Sequence, residues 1–138
     1  MRGLIVSLFL ALWAVQAAEC KSRILLLGGT PENCEHEFVP IQDTLLALRT
    51  PDDWTFVVVC SPMVWENLLR RTDGLGKTHT GFTNLEARYT YFNGSNFAPR
   101  VAAHELGHIL GQTTDHEKAE VIGFTLLQQK NNATASRK

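Results

Sequence analysis

The sequence predicts an α+β domain in which helices pack on a small mixed β-sheet. The strongest strand signal is the segment 54–60 (WTFVVVC), which is β-branched, aromatic and uninterrupted. A second apolar run, 23–27 (RILLL), ends at two glycines and predicts a buried strand. Two segments with apolar residues at helical spacing, 97–112 and 115–129, follow one another near the carboxyl end. The resulting order, β-α-β-α-β-β-α-α, favours α+β over a doubly wound sheet.

The elements between these segments are predicted from turn and cap residues. Pro40 is expected to open the first helix, which should end before Pro51. Ser61 is a candidate cap for a second, short helix. Two short strands, 81–85 and 88–92, are expected before the two consecutive helices.

Composition limits the classes of function. The chain has 138 residues, of which 44% are hydrophobic and 20% charged, as is typical of one globular domain. The formal net charge of −1 provides no basic field for a phosphate backbone, so nucleic-acid binding through bulk electrostatics is disfavoured. Residues 19–130 are expected to form the single domain, followed by a polar tail at 131–138.

The first 18 residues have the layout of a secretory signal peptide. Arg2 gives a positive start, residues 4–15 are apolar, and small residues indicate cleavage near Ala17 or Ala18. The apolar run is too short to span a membrane, which needs about 20 residues. We therefore expect a secreted or periplasmic protein with no stable membrane span.

Three cysteines follow this leader: Cys20, Cys34 and Cys60. In an oxidising compartment two of them can pair. Cys34 follows the first predicted strand and Cys60 ends the second, so parallel pairing of those strands would bring the two together. We favour a Cys34–Cys60 disulfide. The sequence contains no CxxC, so a cysteine metal cluster is not expected.

Residues 104–108 (HELGH) form an HExxH sequence. His104 and His108 lie one helical turn apart on the same face, where both imidazoles can bind one zinc ion. Glu105 points about 100° around the helix from His104, beside the ion, where a carboxylate can take a proton from zinc-bound water. The rest of this helix is largely apolar. Three ionisable groups on a buried helix need a partner, and zinc would provide it.

The motif resembles two families of zinc peptidases. The segment 104–111 (HELGHILG) is similar to the HExxHxxG of metzincins, with Gly111 at their turn. That resemblance implies a third histidine ligand at position 114, which is Thr114 in this chain. It also implies a methionine turn after the motif, where this chain has no methionine. The metzincin resemblance therefore covers eight residues.

The segment 115–127 (DHEKAEVIGFTLL) resembles the helix that follows the motif in compact gluzincins, including the minigluzincins. Gluzincins take a glutamate ligand from that helix, and Glu120 is expected to be the third zinc ligand. Glu117 and Asp115 are the alternatives. His116 is expected to be a turn residue or to lie outside the ligand set.

Two further expectations come from the second helix. Thr114 and Glu117 can form a capping box that starts it immediately after the turn. Glu120, Phe124 and Leu127 then share a stripe that should face inward. In an antiparallel hairpin this stripe would lie opposite the histidines.

Taken with these resemblances, the residues predict a secreted, zincin-like metallopeptidase that cleaves a peptide or protein substrate. His104, His108 and Glu120 would hold Zn²⁺, and Glu105 would be the general base. In the fold that the resemblance implies, the active-site helix packs under a sheet whose edge strand, 81–85 or 88–92 here, pairs with extended substrate. The alternative is a non-catalytic zincin-fold protein that binds zinc or a partner.

Overall fold

The computed structural model describes residues 12–15, 22–48, 50–71 and 80–136. Its strands are β1 (Leu12–Val15), β2 (Arg23–Leu27), β3 (Thr55–Val59), β4 (Gly81–Asn84) and β5 (Tyr89–Asn93). Its helices are α1 (Glu35–Ala47), α2 (Pro62–Arg71), α3 (Pro99–Gly111) and α4 (His116–Ser136). The predicted α+β class is confirmed, as is the predicted order of elements from β2 to α4.

The sheet is mixed, with the strand order β1-β2-β3-β5-β4. β2, β3 and β5 are parallel, and β1 and β4 pair antiparallel at the two edges. β3 occupies the centre because the uninterrupted apolar run buries side chains on both faces. β1 was not predicted as a strand, because it comes from the apolar run of the expected leader. The expected cleavage position, near Ala17 or Ala18, lies outside the described residues.

Helices cover both faces of the sheet. α1 and α3 pack on one face, against Ile24, Leu26, Phe56, Val58 and Phe92. α2 covers the other face, where Trp65 packs with Val57, Val59 and Phe82. α3 also contacts β4, so the helix that carries HELGH lies beside one edge of the sheet.

A disulfide joins Cys34 to Cys60, with their Cα atoms 5.7 Å apart. Cys34 precedes α1 and Cys60 follows β3, which pairs in parallel with β2. The favoured pairing is thus confirmed for the reason given, the proximity of two parallel strand ends. Cys20 lies outside the described residues.

α1 begins at Glu35, so the prediction that Pro40 opens this helix was wrong. The carbonyl of Cys34 accepts the N–H of Phe38 (2.9 Å), which starts the helix one turn earlier. Pro40 therefore lies inside α1, where its missing N–H leaves the carbonyl of His36 without its helical donor. His36 lies on the exposed side of the helix, where water can bind that carbonyl.

α4 continues to Ser136, beyond the expected end at Gln129. The segment 130–136 contains neither glycine nor proline, so nothing in it interrupts the helix. Most of the segment expected to be a polar tail is therefore helical. Among the described residues, none of the helices combines the length and apolarity that crossing a bilayer requires.

Candidate metal centre

α3 and α4 form an antiparallel hairpin whose backbones come unusually close. A Cβ placed on Gly107 would lie 2.0 Å from the carbonyl oxygen of Ala119. One placed on Gly123 would lie 2.4 Å from the carbonyl oxygen of Ala103. Because only glycine lacks a Cβ, it alone permits this approach. The contact brings the first turn of α4 alongside the histidines of α3.

The connection between the helices sets where α4 starts. Gln112, in the left-handed region at φ 47°, ends α3, whereas Gly111, which the metzincin resemblance puts at the turn, is still helical. The Asp115 carboxylate accepts the N–H of Glu117 at 2.9 Å and caps α4. The expected capping box, with Thr114 as its first residue, is therefore wrong. The cap also occupies the side chain of Asp115, one of the alternative ligands.

Three imidazoles converge at this junction. Nε2 of His104 lies 3.1 Å from Nε2 of His108 and 3.3 Å from Nδ1 of His116, the first residue of α4. One ring nitrogen from each of the three lies within 4.8 Å of the others. Nitrogens bound tetrahedrally to a zinc-sized ion at 2.0–2.1 Å would be about 3.3–3.4 Å apart. The three histidines can therefore hold a metal ion.

The outer nitrogens of the two α3 histidines are also bonded. Nδ1 of His108 lies 2.7 Å from the carbonyl oxygen of Thr113, which can only accept, so this nitrogen carries the hydrogen. Nδ1 of His104 lies 3.1 Å from Oε2 of Glu120, and an ionised carboxylate likewise only accepts. Both rings are thereby fixed with their Nε2 lone pairs facing inward. Metal-binding histidines have this arrangement of outer partners.

A cation between the three rings would satisfy these lone pairs. With Nδ1 protonated, neutral rings of His104 and His108 point two acceptors at each other across 3.1 Å. Because a hydrogen bond is directional, a proton can bridge only one pair of these nitrogens. A single metal ion can bind all three at once. Burial lowers the pKa of His108, so the neutral ring that a metal ion requires is favoured.

Glu105 is buried beside this cluster, with 3% of its surface exposed. Its Oε1 accepts a hydrogen bond from the hydroxyl of Thr83 at 2.7 Å. Burial raises the pKa of Glu105 to about 7, against the opposing effect of the Thr83 hydrogen bond. A carboxyl group with that pKa exchanges its proton near neutral pH.

Two cavities meet at Glu105. One, of about 60 Å³, is also lined by His108, His116 and the β4 residues Gly81–Thr83. The other, of about 180 Å³, is also lined by His104. A water molecule needs about 10–15 Å³ of such space, so each cavity can admit one beside the carboxylate.

Comparison with known proteins identifies no relative. No family model, no curated protein and no solved structure matches this chain. What the site can do must therefore follow from its own donors. Three imidazole nitrogens suit zinc, copper, iron or nickel, and a buried carboxylate beside them is placed to move a proton.

The structure brings together three of the four predicted site residues: His104, Glu105 and His108. It places Oε2 of Glu120 3.1 Å from the outer nitrogen of His104, with 65% of the Glu120 side chain exposed, and it adds His116, which was not expected in the ligand set, to the two histidines. The overlooked signal is the pair Ala119 and Gly123. Small residues four apart mark the face of α4 that packs against α3, and His116 lies three residues before Ala119, on that face.

Proposed function

We propose that this protein is a zinc-dependent peptidase in which His104, His108 and His116 hold Zn²⁺ and Glu105 is the general base. The observation that carries the proposal is the convergence of three ring nitrogens, two of them on rings whose outer nitrogens already donate hydrogen bonds. Imidazole donors in a set of three, with space beside them, are typical of catalytic zinc sites.

The three histidine donors favour one of the two family resemblances over the other. Three histidines favour the metzincin-like segment 104–111, with the third histidine two residues beyond the metzincin position. Glu120 then takes the role of an outer partner that orients His104, rather than the gluzincin ligand. A disulfide between Cys34 and Cys60 supports export to an oxidising compartment.

Glu105 has the position and the proton affinity of a general base. Zinc, when bound, lowers the pKa of a coordinated water to about 7 and polarises a carbonyl group. Thr83 holds Oε1 of Glu105, so Oε2 is the oxygen left to accept a proton from the attacking water. Once protonated, the same carboxyl can pass that proton on to the leaving amine.

The substrate side of the site is β4. In the part of the chain that the structure describes, β4 is one of the two edge strands of the sheet, β1 being the other. Gly81, Phe82 and Thr83 of this strand line the same cavity as Glu105 and His108. An extended peptide that adds to this edge would run past the carboxylate and the histidines, which favours a peptide or unfolded protein as substrate.

The test is zinc content followed by hydrolysis. Purified protein should contain one zinc per chain and cleave unfolded casein, and a chelator should abolish the cleavage. Glu105→Gln should keep the zinc and lose hydrolysis, whereas His116→Ala should lose the zinc. His36→Ala, which removes an exposed histidine on α1, is the matched control and should change neither.

Three results would contradict the proposal in different ways. Protein without stoichiometric zinc would remove both the metal and the reaction. Zinc-loaded protein that cleaves nothing would favour the non-catalytic alternative, a zinc-binding or partner-binding protein. Full zinc binding by His116→Ala would show that His116 is not a ligand.

A further inference from the structure

A chain of hydrogen bonds runs from Trp54 across β5 and β4 and ends on Glu105. The indole Nε1 of Trp54 donates to Oγ1 of Thr90 at 2.9 Å. Oγ1 of Thr90 lies 2.9 Å from Oγ1 of Thr83, and Thr83 donates to Oε1 of Glu105 at 2.7 Å. Trp54 and Thr90 are fully buried, and Thr83 faces Thr90 directly across the β4–β5 pair.

The direction of every bond in this chain is fixed by its two ends. An indole N–H can only donate, and an ionised carboxylate can only accept. Thr90 therefore accepts from Trp54 and gives its own proton to Thr83, and Thr83 gives its proton to Glu105. Hydrogen bonds that point the same way polarise one another, so the last donor is stronger than an isolated hydroxyl.

We infer that Thr83 is a positioning residue for Glu105, held by a one-way hydrogen-bond chain that starts at Trp54 and passes through Thr90. We call Trp54, Thr90 and Thr83 the Trp54 relay. The relay holds Oε1, so it selects Oε2 as the oxygen that remains to accept a proton. The inference rests on the proposed function, in which Glu105 is the general base.

The relay can be tested by removing one hydroxyl without changing shape. Thr83→Val keeps the volume and removes the donor, and Thr83→Ser keeps the donor. Thr55→Val makes the same change on β3, outside the relay, and is the matched control. In the zinc-loaded protein, Thr83→Val should lower kcat about 10- to 100-fold, the value of a hydrogen bond to a charged group, with little change in KM or zinc content. Thr83→Ser and Thr55→Val should stay near wild-type kcat.

A second measurement needs no turnover. The indole N–H of Trp54, observed by ¹H–¹⁵N NMR in the full chain, should move upfield in Thr83→Val and in Glu105→Gln, because both changes weaken the relay. It should not move in Thr55→Val. The indole of Trp65 is an internal reference, since no acceptor for its Nε1 is found among the described residues. Single Trp→Phe variants assign the two resonances.

The outcomes separate this inference from the proposed function. If wild-type protein hydrolyses casein while Thr83→Val keeps full kcat, or if the Trp54 resonance stays fixed in Thr83→Val, the relay does not position Glu105 and the inference is wrong. If wild-type protein neither binds zinc nor hydrolyses, the proposed function fails. The NMR measurement on metal-free protein then decides the relay alone.

Discussion

One added methyl group at Gly107 should move His116 away from His104 and His108. A Cβ there would lie 2.0 Å from the carbonyl oxygen of Ala119, whereas ordinary contact begins at 3.4 Å. The helices must therefore part by roughly 1.4 Å, which is several times the ±0.2 Å that a metal site tolerates in its ligand distances. We expect Gly107→Ala to weaken zinc binding about 100-fold or more, because His116 moves away with α4.

Stability should change by no more than metal affinity, for which a 100-fold loss corresponds to about 2.7 kcal/mol. Overpacking costs about 1–3 kcal/mol, and the better helix propensity of alanine returns about 1 kcal/mol. The variant should therefore remain folded, with a free energy of unfolding, measured by urea titration in the presence of a chelator, within about 2 kcal/mol of wild type. Zinc affinity is measured by competition with a chromophoric chelator.

Gly111→Ala is the matched control on the same helix. A Cβ at Gly111 would meet Cδ1 of Ile122 at 2.6 Å, and that methyl group lies at the end of a flexible side chain that can turn away. This variant should bind zinc as wild type does. Wild-type zinc affinity in Gly107→Ala would refute the reasoning, because it would show that the approach of α4 to α3 does not set the ligand distances.

Three further predictions concern Glu120, Glu105 and the disulfide. Glu120→Gln should weaken zinc binding about 10- to 100-fold without abolishing it, since it removes only the charge that orients His104; complete loss of zinc in chelator competition would instead make Glu120 a ligand. In metal-free protein, folding raises the pKa of Glu105 from 4.5 to about 7, so the folded state favours the protonated carboxyl. The stability that this protonated group contributes is therefore complete below pH 4.5 and is lost as the pH rises through about 7. That loss amounts to about 3 kcal/mol of the free energy of unfolding, and Glu105→Gln should not show it because glutamine does not titrate. If wild type and Glu105→Gln lost stability in parallel as the pH rises, the burial argument would be contradicted. Replacing Cys34 and Cys60 together by serine should lower stability by about 2–5 kcal/mol and leave zinc affinity of the folded protein unchanged, because the disulfide joins the residue before α1 to the residue after β3 and neither cysteine belongs to the segment 104–116 that carries the histidines. A coupled loss of zinc binding would contradict this.

The sheet could be predicted because its strands are defined by local composition. β3 is continuous, apolar and β-branched, and β2 ends at glycine, so their boundaries followed from the sequence. The start of α1 could not, because it depends on Cys34, which a disulfide to a distant strand end holds in place. β1 was missed for a different reason, since a short apolar run has the same composition in an export leader and in an edge strand.

The candidate site also has a part that the sequence predicts and a part that it does not. His104, Glu105 and His108 lie on one helix, so helical spacing alone relates them. The third group depends on the phase of α4, which hydrophobicity misjudged: Phe124 was expected inside and is 61% exposed, while Ala119 is fully buried. Where two backbones nearly touch, there is no room for a large side chain, so residue volume rather than apolarity decides which face packs.

The closeness of the three imidazoles along the chain affects how zinc would couple to folding. All of them belong to the segment 104–116, so the loops that a bound ion closes are short and cost little entropy even in an unfolded chain. The unfolded chain would then retain some zinc affinity, and the metal would stabilise the native state by less than its affinity implies. Zinc would order the α3–α4 hairpin rather than link parts of the fold that are distant in sequence. Its removal should loosen the attachment of α4 while β2, β3 and β5 keep their pairing.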